Sequence, residues 1–453
     1  MYKNDKILLL ALMGFAFINA CMPNDSTTNN DPKNNDGKKT IQVYEWKQIK
    51  SMATNFKPTD NKVDHVANSK NGQWFYATAN GGGELFAADL SAQFSDISDD
   101  SKWTKISLGS TLLDGSAGQA TLEDAGFARA LVPTEQGVLV ERYAGGTNAH
   151  NGVGYLAGKA WTAAWSHKSK AHLVEAQSSA TKGIVSPGLI TKAGTEHPVL
   201  FSEYIAKDNF VGNTAPLGPV KMAHLVGPNI GGGNLFKNFN PVITRASPKL
   251  VMAGKDALIL DSSGIHTLVE SAIGDASKPI WKTQEDPATT DKTPYKGSNS
   301  WIFNKSLNNQ VTAVAVSGSK LYIGLGTTLV PEPGTGGVAV YDFVTPADSK
   351  APDKAWDGIA VLALTVDPAG TVWAVTKTKL IAAKPDGTMG DALTTKPTPT
   401  YAQAVDKGAY DKTPLLPTGN ISDACFVGDN LVISTTDQGI IYRLAPVATT
   451  LSP

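Results

Sequence analysis

The first apolar stretch after a polar N-terminal region is Ile41-Gln-Val-Tyr-Glu-Trp46-Lys-Gln-Ile49. Its length and its β-branched and aromatic residues are typical of a β-strand. The tryptophan pattern recurs at Trp103-Thr-Lys-Ile106 and Trp356-Asp-Gly-Ile359, with a weaker copy at Trp281-Lys-Thr-Gln284. The later copies follow other strand-like segments, whereas the N-terminal copy has none before it. This isolated copy indicates a repeating unit whose final strand is supplied from the start of the chain.

A second repeated feature is a strand that begins with glycine. It occurs as Gly81-Gly-Gly-Glu-Leu85-Phe86, Gly231-Gly-Gly-Asn-Leu235-Phe236, Gly336-Gly-Val338-Ala-Val-Tyr341 and Gly439-Ile-Ile-Tyr442. The last glycines of these copies are separated by three, two and two units of about 51 residues, the size of a four-stranded propeller blade with its loops. The spacing favours a propeller over a sandwich.

The strand pattern of the remaining sequence agrees with this. Val311–Val316 and Leu321–Gly324 are predicted to form a hairpin, as are Ile359–Val366 and Thr371–Val375. The last unit offers only three strands, Ile421–Val427, Leu431–Ser434 and Ile440–Leu444, and no Trp strand. We therefore predict that Ile41–Ile49 is the outer strand of the last blade and closes the ring, because closure removes an exposed sheet edge.

These features predict an all-β fold, a single β-propeller of about seven four-stranded blades, with eight as the alternative. Units begin near Val63, Leu122, Leu250, Val311, Val361 and Ile421, and residues 171–248 are too irregular to count. The Trp and Gly motifs loosely resemble the tryptophan-containing repeats of bacterial quinoprotein-like propellers. The resemblance covers most of residues 41–448 and implies a fold rather than a function.

Composition limits the function classes. Lys and Arg number 40 against 41 Asp and Glu, so the formal net charge is −1. This balance gives no electrostatic reason to expect nucleic acid as a partner. The chain has 43 glycines and 26 prolines, which favour turns over helices. Its only cysteines are Cys21 and Cys425, which argues against a disulfide framework.

The N-terminal region has the three parts of a secretory signal. Lys3 and Lys6 are basic, Ile7–Phe17 is an apolar run too short to span a bilayer, and Ile18-Asn-Ala-Cys21 follows. This last segment resembles the bacterial lipobox. The resemblance implies cleavage after Ala20, lipidation of Cys21 and anchoring in a membrane of the bacterial cell envelope. Under enteric-type sorting rules, Met22 implies the outer membrane rather than the inner membrane.

The predicted domain organisation follows from these segments. Residues 1–20 form the signal peptide, and residues 21–40 form a flexible tether, since residues 22–40 contain no apolar side chain beyond Met22. Residues 41–448 form the propeller, and residues 449–453 form a C-terminal tail.

Candidate chemistry is sparse. The seven histidines do not form close ligand pairs, and although His167 and His172 are five apart, no carboxylate or cysteine completes a zinc set. The sequence also lacks a phosphate-binding loop and a nucleophile elbow. We therefore predict no catalytic residue, no cofactor and no metal. Cys425 is predicted to be a buried, inert thiol on an inner strand.

Two tryptophans remain open to interpretation. Trp161 and Trp165, in Ala160-Trp-Thr-Ala-Ala-Trp165, fit either a degenerate outer strand or an exposed aromatic pair on a recognition surface. Gly-, Asn- and Pro-rich insertions at 144–156, 205–217, 284–300 and 327–336 predict a face with long loops. Such a face usually carries recognition in repeat rings.

The function predicted from the sequence is a non-enzymatic envelope lipoprotein that presents a propeller as a binding or scaffolding platform. Its partner would be a protein or a glycan, and its contact with the membrane would be through the lipid. Propeller lipoproteins of outer-membrane assembly complexes offer an analogy. One alternative is an envelope enzyme acting on saccharides or small substrates, which requires acidic or His side chains that converge at one end of the channel. The other is a ligand-sensing module.

Overall fold

The computed structural model describes a large part of the chain. The described residues are 39–108, 127–143, 152–166, 185–192, 195–202, 221–224, 249–253, 256–261, 264–268, 281–283, 311–326, 336–342, 350, 352–393, 409–412, 415–417 and 419–451. Within them, no helix is both long enough and apolar enough to cross a membrane. The predicted signal peptide, Cys21 and the tether up to residue 38 lie outside these residues.

The regular secondary structure of the described residues is almost entirely β-strand, as predicted. Strand β1 spans Lys39–Ile49. The first two sheets are β2–β5 (Val63–Asn68, Trp74–Ala79, Glu84–Asp89, Trp103–Ile106) and β6–β9 (Phe127–Pro133, Gly137–Tyr143, Gly152–Ala157, Ala160–Ser166). The next two are β10–β12 (Val185–Lys192, Thr195–Ser202, Lys221–His224) and β13–β16 (Lys249–Ala253, Asp256–Asp261, Gly264–Leu268, Trp281–Thr283).

The second half of the chain continues the pattern. Its sheets are β17–β19 (Val311–Ser317, Lys320–Leu325, Gly337–Asp342) and β20–β23 (Ala363–Val366, Val372–Val375, Leu380–Ala383, Met389–Ala392). The last sheet contains β24–β28 (Ala409–Lys412, Ile421–Val427, Asn430–Thr435, Ile440–Arg443, Val447–Leu451) together with β1. Short 3-10 helices occupy Thr59–Asn61, Phe94–Ser98, Asp100–Lys102 and Lys354–Trp356.

The sheets form a closed ring. One strand at the edge of each sheet contacts its counterpart in the next, in the order β2, β6, β10, β13, β17, β20 and β25, and β25 contacts β2. We count β25 as the first strand of the last blade. This arrangement confirms a β-propeller, with the first strands innermost. The number of complete blades differs from the prediction. The described strands complete five blades of four or more strands rather than seven or eight, because the β10–β12 and β17–β19 sheets each have three.

The last blade confirms the predicted closure. Strand β1 pairs antiparallel with β27, from Trp46 opposite Arg443 to Ile49 opposite Ile440. Its first half also pairs with β28, where Lys39 lies opposite Leu451, and runs parallel to β24. The paired region therefore extends from Lys39 to Leu451 and includes most of the segment predicted as a tail.

The core consists of apolar clusters between neighbouring blades. The cluster between the last and first blades includes Phe56, Phe86, Trp103 and Tyr442, all essentially inaccessible to solvent. The ring centroids of Phe56 and Trp103 lie 4.1 Å apart. Each fully buried side chain of this size stabilises the fold by about 1.5–3 kcal/mol relative to an exposed one. The junction where the ring closes is thus packed as a blade interface.

The repeated glycines have a common structural cause. Gly82, Gly336 and Gly439 have φ values of 85°, 92° and 79°. A Cβ at these positions would lie 2.2–2.3 Å from a carbonyl oxygen of Ala128, Ile359 and Ile49, respectively. Each glycine thus turns the chain into the third strand of a blade while the segment leading to the next blade passes close by. The copy at 231–233 lies outside the described residues.

The repeated tryptophans divide into two groups. Trp46, Trp103 and Trp281 lie on outer strands, as predicted. Trp356 does not, because it ends a 3-10 helix that Asp353 caps by accepting a hydrogen bond from the backbone N–H of Ala355. Trp356 is buried against Gly337, and only an isolated bridge between Val340 and Lys350 extends this sheet. The assignment of Trp356 to an outer strand was wrong.

Candidate functional site

Strand direction defines two faces of the ring. Successive strands of these antiparallel sheets run in opposite directions. The starts of the first and third strands therefore lie at the same edge of the sheet as the ends of the second and fourth strands. We name the face formed by these edges the upper face and the opposite one the lower face. On the lower face, the turns between first and second strands are short: Gly318-Ser319 joins β17 to β18, and Gly428-Asp429 joins β25 to β26. The β4–β5 and β15–β16 connections on this face are longer, at residues 90–102 and 269–280.

The four predicted insertions all connect strand ends on the upper face. They lie between β7 and β8, β11 and β12, β16 and β17, and β18 and β19. Apart from residues 152–156 in β8 and Gly336, the insertions themselves lie outside the described residues. The flanking strands nevertheless fix the edge from which each segment leaves its sheet. The prediction that long connections share a face therefore agrees with the strand order.

Trp161 and Trp165 both lie on β9, the outer strand of the second blade. Trp161 Nε1 donates a hydrogen bond of 2.9 Å to the carbonyl oxygen of Ser107. The Trp161 ring covers Gly154, where an added Cβ would lie 2.4 Å from Cζ3. Trp161 thus contributes to packing between β8 and β9. The side chain of Trp165 lies outside what the structure describes, and the proposed recognition role of the pair stays a prediction.

A polar pair not predicted from the sequence lies where the last blade meets the first. His65 is on β2 and Asp423 is on β25, and both strands are innermost. His65 Nδ1 lies 3.5 Å from Oδ2 of Asp423. The same Oδ2 accepts a hydrogen bond of 3.3 Å from the backbone N–H of Val66, and Oδ1 accepts one of 2.8 Å from Ala424. These backbone donors fix the carboxylate against the imidazole.

Repeated β-bulges position this pair. The pairing register shifts at the second residue of β2, β17 and β25, which is Asp64, Thr312 and Ser422, respectively. Ser422 Oγ donates a hydrogen bond of 2.6 Å to the carbonyl oxygen of Val63 in the first blade. Thr312 Oγ1 donates an equivalent bond of 2.6 Å to Val361 in the following blade. A bulge bends the strand and redirects the next side chain, which is His65 in β2 and Asp423 in β25.

The electrostatic surroundings of His65 are dominated by carboxylates. Burial lowers the pKa of His65, but hydrogen bonding and charge attraction from Asp423, assisted by the charges of Asp64 and Glu141, outweigh it, so the pKa lies above its usual 6.5. Lys62 lies 3.9 Å from Asp64 and offsets part of this negative charge. The His65 side chain is 43% exposed and that of Asp423 is 16% exposed. The imidazole is therefore accessible while its carboxylate partner is largely covered.

Cys425 lies two residues after Asp423 on β25, so its placement on an inner strand is confirmed. It is a free, half-buried cysteine that packs against the cluster between the first and last blades. Burial, followed by the charge of Asp423, raises the pKa of its thiol well above the usual value. A protonated thiol is a poor nucleophile, which agrees with the predicted inertness.

Of the seven histidines, His65 is the one whose side chain lies within what the structure describes. His167 and His172 lie outside the described residues. Across the described ranges, no group of three or more His, Cys, Asp or Glu side chains is placed to hold a metal ion.

The sequence contains a signal from which the His65–Asp423 pair could have been predicted. His65 is the third residue from Val63, and Asp423 is the third from Ile421, so both occupy the same position in their units. Once β1 is assigned to the last blade, these two units become neighbours, and equivalent positions on their inner strands lie side by side. The closure prediction and the unit starts together place His65 next to Asp423.

The strand pairing defines this chain as a β-propeller protein. Among solved structures it is similar to virginiamycin B lyase from Staphylococcus aureus, with a TM-score of 0.45 and 11% identity over 88% of this chain and 99% of that one. It is also similar to the Pan2 WD40 domain of Neurospora crassa, with a TM-score of 0.46 and 12% identity over 90% and 98% of the two chains.

A third similar structure is the extracellular domain of a putative one-component system from B. thetaiotaomicron, with a TM-score of 0.40 and 11% identity over 88% of this chain and 39% of that one. No family model matches this chain, and no curated protein matches it. The propeller assignment rests on the strand pairing itself.

Proposed function

We propose that this chain is a lipid-anchored protein of the bacterial cell envelope whose propeller serves as a binding or scaffolding platform for a protein or glycan partner. The upper face is the proposed recognition surface. The observation that carries this proposal is that all four Gly-, Asn- and Pro-rich insertions leave strand ends on that face. Loops held on a rigid ring suit recognition because they vary in shape without disturbing the blades.

The path of β1 supports an orientation for the platform. Ile49 lies opposite Ile440, where the third strand of the last blade begins, so β1 ends at the upper face. Lys39, at the other end of β1, lies opposite Leu451 beyond the lower edge of that blade. A tether of residues 21–38 would therefore leave from the lower side. The upper face would then point away from an anchoring membrane, where it can meet a partner.

Site-specific photocrosslinking tests this proposal. A photocrosslinking amino acid replaces Thr378 in the β21–β22 connection on the upper face or, as the matched control, Ala369 in the β20–β21 turn on the lower face. Both positions are exposed and belong to the same blade. We expect irradiation of intact cells to give a discrete protein adduct from position 378 and none from position 369.

The other outcomes are also informative. Retention of the full-length protein on isolated envelope polysaccharide, without a protein adduct, would identify the partner as a glycan. Equal labelling from both faces, or no adduct together with no retention, would contradict the platform. The ligand-sensing alternative stays a prediction.

A further inference from the structure

The His65–Asp423 pair has the features of a general base rather than of a simple ion pair at a blade interface. Asp423 approaches Nδ1 of His65 at 3.5 Å, which favours the tautomer with the proton on Nδ1. Among the described residues, Asp423 is the one side chain paired with this imidazole. Two backbone N–H groups hold the Asp423 carboxylate in place.

Part of the His65 side chain is open to solvent near the end of an innermost strand. His65 is the third residue of the innermost strand of its blade, close to the upper face, and 43% of its side chain is exposed. The ring of inner strands bounds the central channel, so this exposed portion lies at the channel mouth. The charges of Asp64, Glu141 and Asp423 all act on the same imidazole. They disfavour the approach of anions.

We propose that His65, positioned by Asp423, is a proton-transfer site at the mouth of the channel and acts on small neutral or cationic molecules with a weakly acidic C–H or O–H. In the step, Nε2 forms a bond to the substrate proton while the substrate keeps the electron pair. The imidazolium that forms is stabilised by the Asp423 carboxylate. His65 is the catalytic residue, and Asp423 is a positioning residue that acts through it.

This activity goes beyond the platform role and does not depend on a macromolecular partner. A raised pKa supports it, because a base is most effective when its pKa lies near the working pH. Burial lowers the pKa of His65, whereas Asp423, Asp64 and Glu141 raise it. The nearby cation is Lys62, which lies 3.9 Å from Asp64. These are the charged groups presented to His65 by β2 and its neighbouring strands within the described residues.

The test uses 5-nitrobenzisoxazole as a neutral probe of general bases. Removal of its C–H proton by Nε2 converts the C–H electron pair into a nitrile bond, breaks the N–O bond and releases a coloured phenolate. We expect the full-length protein to accelerate this reaction and His65→Gln to lose on the order of 10²-fold in rate. Added imidazole should raise the rate of His65→Gln by more than it raises the protein-free rate, and an unchanged circular dichroism spectrum shows that the variant is folded.

The role of Asp423 is tested by the pH profile. The rate should rise with pH as His65 loses its proton, and Asp423→Asn should move the midpoint to lower pH as well as reduce the rate. Asp429→Asn, in the exposed lower-face turn of the same blade, should change neither. A His65→Gln rate equal to that of the natural protein would overturn the proposal, and an unmoved midpoint in Asp423→Asn would remove Asp423 from it. Neither result alters the crosslinking expected at position 378.

Discussion

The indole Nε1 of Trp46 donates a hydrogen bond of 2.9 Å to Oδ1 of Asp411, 365 positions later in the chain. Both residues are buried, and they connect β1 to β24, its parallel neighbour. Arg443 also packs against β1, with its guanidinium 4.4 Å from the Tyr44 ring and 5.7 Å from the Trp46 ring. The strand that closes the ring is therefore fixed by polar and cation–π contacts as well as by backbone pairing.

Trp46→Phe should destabilise the protein by about 1–3 kcal/mol, because the buried Asp411 carboxylate loses a donor while the aromatic packing is largely kept. The measurement is the free energy of unfolding from urea denaturation. Trp373→Phe is the matched control, since Trp373 Nε1 donates to Oδ2 of Asp367 at 2.9 Å within a single half-buried hairpin. A loss no larger than that of the control would show that the Trp46–Asp411 contact does not stabilise closure.

The glycines give a comparison within one blade. Gly439→Ala and Gly428→Ala both place a Cβ at positive φ, which costs about 1–2 kcal/mol. At Gly439 the new Cβ would also lie 2.2 Å from the carbonyl oxygen of Ile49, whereas nothing lies within 4 Å at Gly428. We expect Gly439→Ala to lower the melting temperature clearly more than Gly428→Ala. Equal shifts would indicate that the close approach to Ile49 is not needed.

Much of the fold was predictable because its signals repeat. The N-terminal Trp strand had no blade before it, and the C-terminal unit had only three strands. Together they predicted that β1 completes the last blade, and β1 pairs with β27 as predicted. The glycine-led strands were recognisable because a left-handed, closely approached position accepts little besides glycine. Repetition supplies a consistency check that a single motif lacks.

The features that the sequence did not predict depend on contacts that the spacing of motifs along the chain does not reveal. Trp356 resembles an outer-strand residue in sequence, but it ends a short helix that Asp353 caps, and its side chain is buried in the core from there. Strand β24 is parallel to β1 and breaks the repeating pattern. The His65–Asp423 pair joins two units from opposite ends of the chain, so it became visible only when closure and register were considered together.

Glu84 provides an acid-sensitive contact. Burial raises its pKa, but Lys105 Nζ at 2.7 Å and the backbone N–H of Thr59 at 3.0 Å outweigh this effect and lower it below 4.5. A carboxylate whose pKa is lower in the folded state stabilises the protein above the pKa of the unfolded state. This stabilisation is lost as pH falls through the pKa of the folded state. Glu84→Gln should therefore be less stable than the natural protein near pH 7, and the difference should shrink as acid approaches about pH 3. A constant difference across this range would contradict the assignment.

The predicted lipid anchor has a direct test. Cys21→Ser should abolish incorporation of labelled palmitate and move the protein from the detergent phase to the aqueous phase in phase partitioning. The reason is that two or more acyl chains bind a membrane stably, and a polar tether alone does not. Cys425→Ser is the matched control, because that half-buried cysteine lies inside the propeller. Equal labelling of Cys21→Ser and the natural protein would refute the anchor.

The pH dependence of the ring junction follows from His65. Its folded pKa is raised above 6.5, so its contribution to stability is fully present below the unfolded pKa and is lost as pH rises through the folded pKa. Because the His65 side chain is 43% exposed, solvent screening should limit the effect to less than about 1 kcal/mol. Urea denaturation of the natural protein and His65→Gln should show a stability difference that is larger at mildly acidic pH than at mildly alkaline pH. In an Asp423→Asn background, the stability difference between His65 and His65→Gln should no longer depend on pH. A stability difference that grows as pH rises would contradict the assigned sign and show that the His65–Asp423 pair does not stabilise the ring junction.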